Sequence, residues 1–361
     1  MSKLKVGVLG ATGMVGQRFI TLLADHPWFE PVEVAASPRS AGKSYRDAVE
    51  GRWTRQDVDI PIDVADLVVR AVTDIDAIVE RVDFVVCAVD MEKDEIRALE
   101  EAYALKETPV VSNNSAHRWT PDVPMLIPEI NADHADVIPA QRKRLGTSRG
   151  FIAVKPNCSI QPYVPTFHAL WDFGPTRASV CTYQSLSGAG KTPKTMPEMD
   201  DNVIPFIDGE EEKSTDEPLK IWGHIENGEI VKADGPTISA QCIRVPVTDG
   251  HLAAISVSFQ KKPPRDEVID RWNRFQGSKK VEGLPSAPNP FLAYREEDDR
   301  PQTRLDRDFG NGMGVTIGRL RDDSLFDYRY VSLSHNTVRG AAGGAILMAE
   351  LFKAQGYLEA K

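Results

Sequence analysis

Cys158 stands in Lys155-Pro156-Asn157-Cys158-Ser159, directly after the apolar stretch 151–154. The pattern predicts a strand ending at this motif and a helix starting after it, with Pro162 tolerable in the first turn. A cysteine so placed sits at a helix N-terminus, where the dipole and free N–H groups stabilise a thiolate. A free-thiol pKa of about 8.5 is then expected to fall by roughly a unit or more. The chemistry would be nucleophilic and covalent. By its setting alone, Cys158 reads equally as a nucleophile or as a structural thiol. The other three cysteines differ: Cys87, Cys181 and Cys242 fall inside predicted strands and read as small buried hydrophobes. None of the cysteines pairs as CxxC and no Cys/His cluster has zinc-ligand spacing, so neither a disulfide framework nor a metal site is expected.

A second candidate lies in Arg244-Val245-Pro246-Val247-Thr248-Asp249-Gly250-His251. This segment ends one predicted strand and begins the next, which puts His251 on a hairpin turn where it can face a cleft. A neutral imidazole there can exchange a proton with substrate or thiolate. The plainer alternative is an exposed turn histidine.

A third constellation is Gly10-Ala11-Thr12-Gly13-Met14-Val15-Gly16, after a predicted strand at 6–9 and opening a predicted helix at 14–23. Glycines at such a turn let the backbone approach a pyrophosphate, which the helix N–H groups then bind. The spacing is GxxGxxG rather than GxGxxG. An NAD site usually places an acidic residue at the end of the second strand. Here the chain has Ser37-Pro38-Arg39-Ser40, which suits a 2′-phosphate and favours NADP(H). A solvated loop arginine is the alternative for Arg39.

These candidates need a scaffold. Apolar runs at 32–36, 84–89 and 110–111 alternate with helical patterns such as 92–104, which predicts βαβ units and a parallel sheet. After about residue 150 the stretches 178–186, 237–245 and 252–259 are rich in β-branched residues and predict an antiparallel or mixed sheet. The fold class expected is therefore α/β plus α+β: a Rossmann-like dinucleotide-binding domain with a second α+β domain. The segment 188–236 is long, irregular and charged, and reads as a functional or interface excursion. A long helix is expected over 340–355, packing back on the first domain. The boundaries are set at 1–154, completed by 336–361, and 155–335.

Bulk composition removes several function classes. The 361 residues carry a net charge of −10, which opposes non-specific binding to nucleic acid or an anionic membrane. No run of about 18 apolar residues appears, and no leader pattern precedes the first strand. A cytoplasmic protein that handles small molecules is expected.

Taken together, these motifs resemble the aspartate-β-semialdehyde dehydrogenases, in their fungal and archaeal branch. The resemblance is carried, in order along nearly the whole chain, by 10–16, 36–40 and Ser112-Asn113-Asn114-Ser115-Ala116-His117-Arg118. It continues through 156–159, Gln184 with the following turn, 209–213, 244–251, and His335-Asn336-Thr337 leading into Arg339 and Gly340. It implies that Cys158 is the nucleophile, His251 the acid/base, and Gln184 the residue that orients the acyl group. It further implies that Arg244 grips the substrate carboxylate, as a bidentate fork does better than a lysine. Glu210, with Glu211 as rival, would meet the substrate amino group. Lys213 and Arg118 would surround the phosphate, and Asn157 would complete the substrate site. Gly10, Thr12, Gly13, Met14, Val15, Gly16, Ser37, Arg39, Ser40, Ser187, Gly188 and Asn336 would hold NADP(H).

The implied reaction is reduction of L-4-aspartyl phosphate to L-aspartate 4-semialdehyde with release of phosphate, in the route to lysine, threonine, methionine and isoleucine. The implied assembly is a homodimer or homotetramer. Malonyl-CoA reductase is the nearest rival and N-acetyl-γ-glutamyl-phosphate reductase the next. A non-catalytic NADPH-binding sensor is the alternative of another class.

Overall fold

Leu4–Leu9 and Phe84–Cys87 are nearly continuous apolar strands, as strands covered on both faces must be. They form the middle of a six-stranded parallel sheet. In the computed structural model, which describes residues 2–55 and 58–361, the strands are β1 (Leu4–Leu9), β2 (Phe29–Ala36), β3 (Arg70–Ala71), β4 (Phe84–Cys87), β5 (Val110–Ser112) and β6 (Ile152–Val154). Their order is β3-β2-β1-β4-β5-β6, with all neighbours parallel. The order reverses between β1 and β4, and ligands of such sheets bind at the carboxyl ends of the strands there. Helices Met14–Leu23 and Lys93–Leu105 follow β1 and β4.

The second sheet runs in the order Thr237–Arg244, Pro175–Gln184, His251–Phe259, Tyr328–Ser334, Val315–Asp322, Leu292–Arg295. It is mixed: the two outer pairs are parallel and the inner pairs antiparallel. One face is core, with Ala178, Val180, Ile238, Ala253, Ile255, Val257 and Tyr330 all buried. The alternating residues Cys181, Tyr183, Ile243, Leu252, Ala254 and Val331 lie on the opposite face and are only half-buried.

The structure corrects the sequence reading in four places. Strands 237–244 and 251–259 are not a hairpin, because Pro175–Gln184 is inserted between them. His251 is consequently the first residue of a central strand and fully buried. After Cys158 there is only a 3₁₀ turn, Cys158–Ile160, and a one-turn helix, Val164–His168, because Pro162 and Pro165 interrupt any longer run. The C-terminal helix spans Gly343–Ala354. It is preceded by a wide turn, Val338–Ala342, broken at Ala341 (φ −144°, ψ −105°). The segment 188–236 contains a twelve-residue helix, Glu210–Ile221, and a short hairpin of His224–Glu226 with Glu229–Val231.

Helix Gly343–Ala354 is buried from Gly343 through Phe352 and packs in the same core as Val6, Val8, Phe19 and Phe151. Its Glu350 pairs with His26 at 2.8 Å. Among the described residues no helix is long and apolar enough to cross a membrane, and no group of three His, Cys, Asp or Glu could hold a metal.

Candidate active site

The loop after β1 is built for close backbone approach. Gly10 has φ +83°, and a Cβ there would lie 2.2 Å from the Ala88 carbonyl oxygen. A Cβ on Gly16 would lie 2.1 Å from the oxygen of Gly10. Gly10 N and Ala11 N both donate to Ala35 O, at 2.8 and 3.0 Å, which fixes the loop against the end of β2. Helix Met14–Leu23 opens with Gly13 as its cap. It has no side-chain cap and no acidic residue in its first turn, so its N–H groups and dipole face outward. Thr12, Gly13, Met14 and Val15 are all at least partly exposed. Beyond β2, Ser37 and Arg39 are exposed, Ser40 is buried, and Ser40 N closes a turn on Ser37 O at 2.9 Å. Loop, helix end and exposed guanidinium fit a dinucleotide with an extra phosphate.

The candidate chemical groups lie between the sheets. Cys158 Sγ is 3.4 Å from His251 Nε2 and 3.4 Å from Asn157 Oδ1. Ser185 N donates to His251 Nδ1 at 3.1 Å, so Nδ1 is an acceptor and the ring proton is assigned to Nε2, facing the sulfur. Burial pushes the Cys158 thiol up to about 11, reinforced by the Glu210 carboxylate and opposed by Lys155, Arg118 and Arg244. This reverses the expected lowering, since a three-residue turn supplies little dipole to offset desolvation. Burial, reinforced by the Arg244 guanidinium, drives His251 down to about 3. The pair is therefore thiol and neutral imidazole at neutral pH.

Glu210 is the hub of the charged groups. Oε2 accepts from Asn157 Nδ2 at 2.9 Å and Gln184 Nε2 at 3.2 Å, while Oε1 pairs with Lys213 Nζ at 2.9 Å. Burial pushes its carboxyl up, but Lys213 and these amides outweigh it and hold the pKa below the ordinary value. Glu211 turns the other way and accepts from Cys242 N at 3.1 Å. Arg244 is buried and donates from Nη1 to Ser185 O at 2.6 Å. Gly188 covers this corner: a Cβ on it would lie 2.9 Å from His251 Cε1 and 3.0 Å from Arg244 Nη1. Asn336 ties the wall together, with Oδ1 accepting from Gly250 N and Nδ2 donating to Ser187 Oγ, both at 2.8 Å.

Arg118 stands beneath the nucleophile loop. Nε donates to Lys155 O (3.0 Å), Nη2 to Asn113 O (3.2 Å) and Nη1 to Glu217 Oε1 (2.8 Å). The structure thus gathers Cys158, His251, Gln184, Asn157, Glu210, Lys213 and Arg244 in one network, with Arg118 in a layer behind. Gly10 to Gly16 and Ser37 to Ser40 form a separate ledge at the ends of β1 and β2.

Three contributors escaped the sequence reading. Ser185 sets the histidine tautomer through its backbone N–H, which no sequence pattern reveals. Gly340 lets the C-terminal turn touch the nucleophile: a Cβ there would lie 2.7 Å from Cys158 Cβ. Glu217 bridges Arg118 and Asn157, and its signal was present, since 210, 213, 214, 217 and 221 fall on one helical face.

Comparison with known proteins gives a consistent picture. Residues 5–138 match the semialdehyde dehydrogenase NAD binding domain, and residues 167–339 the semialdehyde dehydrogenase dimerisation domain. The chain is 44% identical over 346 residues to aspartate-semialdehyde dehydrogenase of Archaeoglobus fulgidus, covering 96% of this chain and 97% of that one. It is 42% identical over 373 residues to the Aspergillus fumigatus enzyme of the same name, covering 99% of each. The crystal structure of the Candida albicans aspartate semialdehyde dehydrogenase with NADP superposes with a TM-score of 0.86 at 37% identity, covering 99% of this chain and 100% of that one.

Proposed function

The chain belongs to the aspartate-semialdehyde dehydrogenase family, and we propose that it interconverts L-4-aspartyl phosphate and L-aspartate 4-semialdehyde through a thioester on Cys158, with NADP(H) as cofactor. The observation that carries this reading is the 3.4 Å approach of Cys158 Sγ to His251 Nε2 beside the Glu210 network.

NADPH, when bound on the Gly10 to Gly16 ledge with Arg39 at its 2′-phosphate, supplies the hydride. The chain's own residues do the rest. The Cys158 thiol attacks the acyl carbon. As the C–S bond forms and the C–O bond to phosphate breaks, the thiol proton departs with the phosphate. His251 Nε2–H donates to the acyl oxygen as negative charge builds there, then to the sulfur as the C–S bond breaks and the aldehyde leaves. Solvent returns one proton to the thiolate. Asn157 and Gln184 orient the acyl group, Arg244 takes the substrate carboxylate, and Glu210 takes the amino group by exchanging a present partner. Lys213 and Arg118 supply positive charge to the phosphate. Asn336, Ser187 and Gly188 would line the nicotinamide side of the site.

We read residues 1–154 with 336–361 as the cofactor-binding unit and 155–335 as the catalytic and dimerisation unit. The half-buried apolar face carrying Leu252, Ala254 and Val331 supports a dimer across that sheet. The free thiols support a reducing compartment, and we read the protein as cytoplasmic.

The test is NADP+ reduction followed spectrophotometrically with aspartate semialdehyde, with and without phosphate. Phosphate-dependent reduction is expected. Absence of reduction, with activity on malonyl-CoA and NADPH instead, would replace the reading. Inertness toward both would leave the sensor.

A further inference from the structure

The helix Glu210–Ile221 sends more than one acidic residue inward. Glu210 accepts from the Asn157 side chain that contacts Cys158 Sγ, and two turns later Glu217 is completely buried. The two oxygens of Glu217 have different partners: Oε1 accepts from Arg118 Nη1 at 2.8 Å and Oε2 from Asn157 N at 2.6 Å. Asn157 is the residue before the nucleophile, and its side chain contacts both Cys158 Sγ and Glu210. Arg118 in turn holds Lys155 O and Asn113 O, one from the loop after β6 and one from the loop after β5. Asn113 N is bound to Cys87 O at the end of β4, beside the Ala88 carbonyl that Gly10 approaches. One carboxylate thereby joins the cation behind the nucleophile to the peptide that carries it, and through Arg118 to the switch point of the parallel sheet. A buried carboxylate costs several kcal/mol in desolvation unless it is paired and fully hydrogen-bonded, so its retention at this junction calls for a task.

We propose that Glu217 is a positioning residue for the reaction: by clamping the Arg118 guanidinium and the Asn157 N–H together, it sets the distance between the phosphate-binding cation and the attacking sulfur. The clamp explains why Arg118 can carry three acceptors and still act on the site. Nε, Nη1 and Nη2 each commit one N–H to these acceptors, which leaves one N–H on Nη1 and one on Nη2 for the site. It also explains how the nucleophile loop stays in place with only a three-residue 3₁₀ turn behind it.

The inference rests on the proposed role of Arg118 toward phosphate, so its test uses one readout that depends on that role and one that does not. Glu217→Gln keeps shape but can accept from only one of the two donors and removes the charge. It is expected to raise KM for phosphate about tenfold, with KM for the semialdehyde little changed, as the loss of one charge-assisted hydrogen bond implies. Independently of any substrate, the pH profile of iodoacetamide alkylation at Cys158 should move down by about one unit, because the Arg118 charge is no longer balanced. Loss of packing alone would not produce this downward shift, and NADP(H) affinity serves as the control for fold. Glu217→Asp keeps the charge but reaches only one donor. It should show the phosphate effect without the alkylation shift, and it stands in if the glutamine variant does not fold.

In the double variant with Arg118→Gln, the two substitutions should be strongly non-additive in phosphate KM. Wild-type phosphate KM and an unmoved alkylation profile in Glu217→Gln, or simple additivity, would overturn the proposal. An absence of phosphate-dependent turnover in the unmodified protein would count against the reading of function, while the alkylation profile would still judge the clamp.

Discussion

Gly340→Ala adds one methyl group at the point where the C-terminal turn meets the nucleophile. The new Cβ would lie 2.7 Å from Cys158 Cβ and 3.2 Å from Cys158 Cα. Carbon atoms in contact sit about 3.5–4.0 Å apart, so the Cys158 segment or the turn must shift by about 1 Å. The backbone at Gly340 does not require glycine, since its φ is not in the left-handed region. The effect therefore comes from the contact rather than from strain. Overpacking of this kind costs about 1–3 kcal/mol of stability. A displacement of about 1 Å between reacting groups costs about 100-fold in rate. The variant should fold, unfold a few degrees earlier, bind NADP(H) normally and lose about two orders of magnitude in kcat. The assay is steady-state NADP+ reduction beside a thermal melt and a nucleotide titration. An unchanged kcat in a folded Gly340→Ala protein would refute the geometry that places the C-terminal turn against Cys158 Cα and Cβ.

Four further outcomes follow from the same geometry. Cys158→Ala should fold and bind NADPH yet show no turnover, measured by the same assay. His251→Asn should lower kcat by about 10²–10⁴-fold, the usual worth of a positioned acid–base group. With the Cys158 thiol near 11, iodoacetamide alkylation without substrate should rise about tenfold per pH unit from pH 7 to pH 10, with no plateau near the ordinary cysteine value. Because the folded pKa of His251 is depressed to about 3, its stability contribution is present above the unfolded value and lost as pH falls toward 3. Chemical denaturation should therefore show His251→Asn to be less acid-sensitive than the parent between about pH 6 and pH 4.

The parallel half of the molecule was largely legible from the sequence. Continuous apolar runs and the glycine turn are local signals, and helix Met14–Leu23 lies where its periodicity predicts. The second sheet was legible in its strands but not in its order, because insertion of Pro175–Gln184 between two sequence-adjacent strands is decided by long-range pairing. That difference moves His251 from a hairpin turn facing a cleft to a buried strand start. The thiol expectation reversed for a related reason. A helix N-terminus is read from local sequence, but desolvation depends on what packs around the cysteine, and Gly340 from the far end of the chain lies against its Cα and Cβ. Glu210 and Glu211 were inseparable by spacing, and only the helix's orientation separates their partners.

The proposed reaction turns on a covalent thioester on Cys158 that waits for phosphate. Its most direct test is rapid mixing of the enzyme with NADP+ and aspartate semialdehyde in the absence of phosphate. A burst of about one NADPH per active site is expected, then little further reduction until phosphate is added, and no burst from Cys158→Ala. Continuous reduction without phosphate, or a burst that survives in Cys158→Ala, would contradict it.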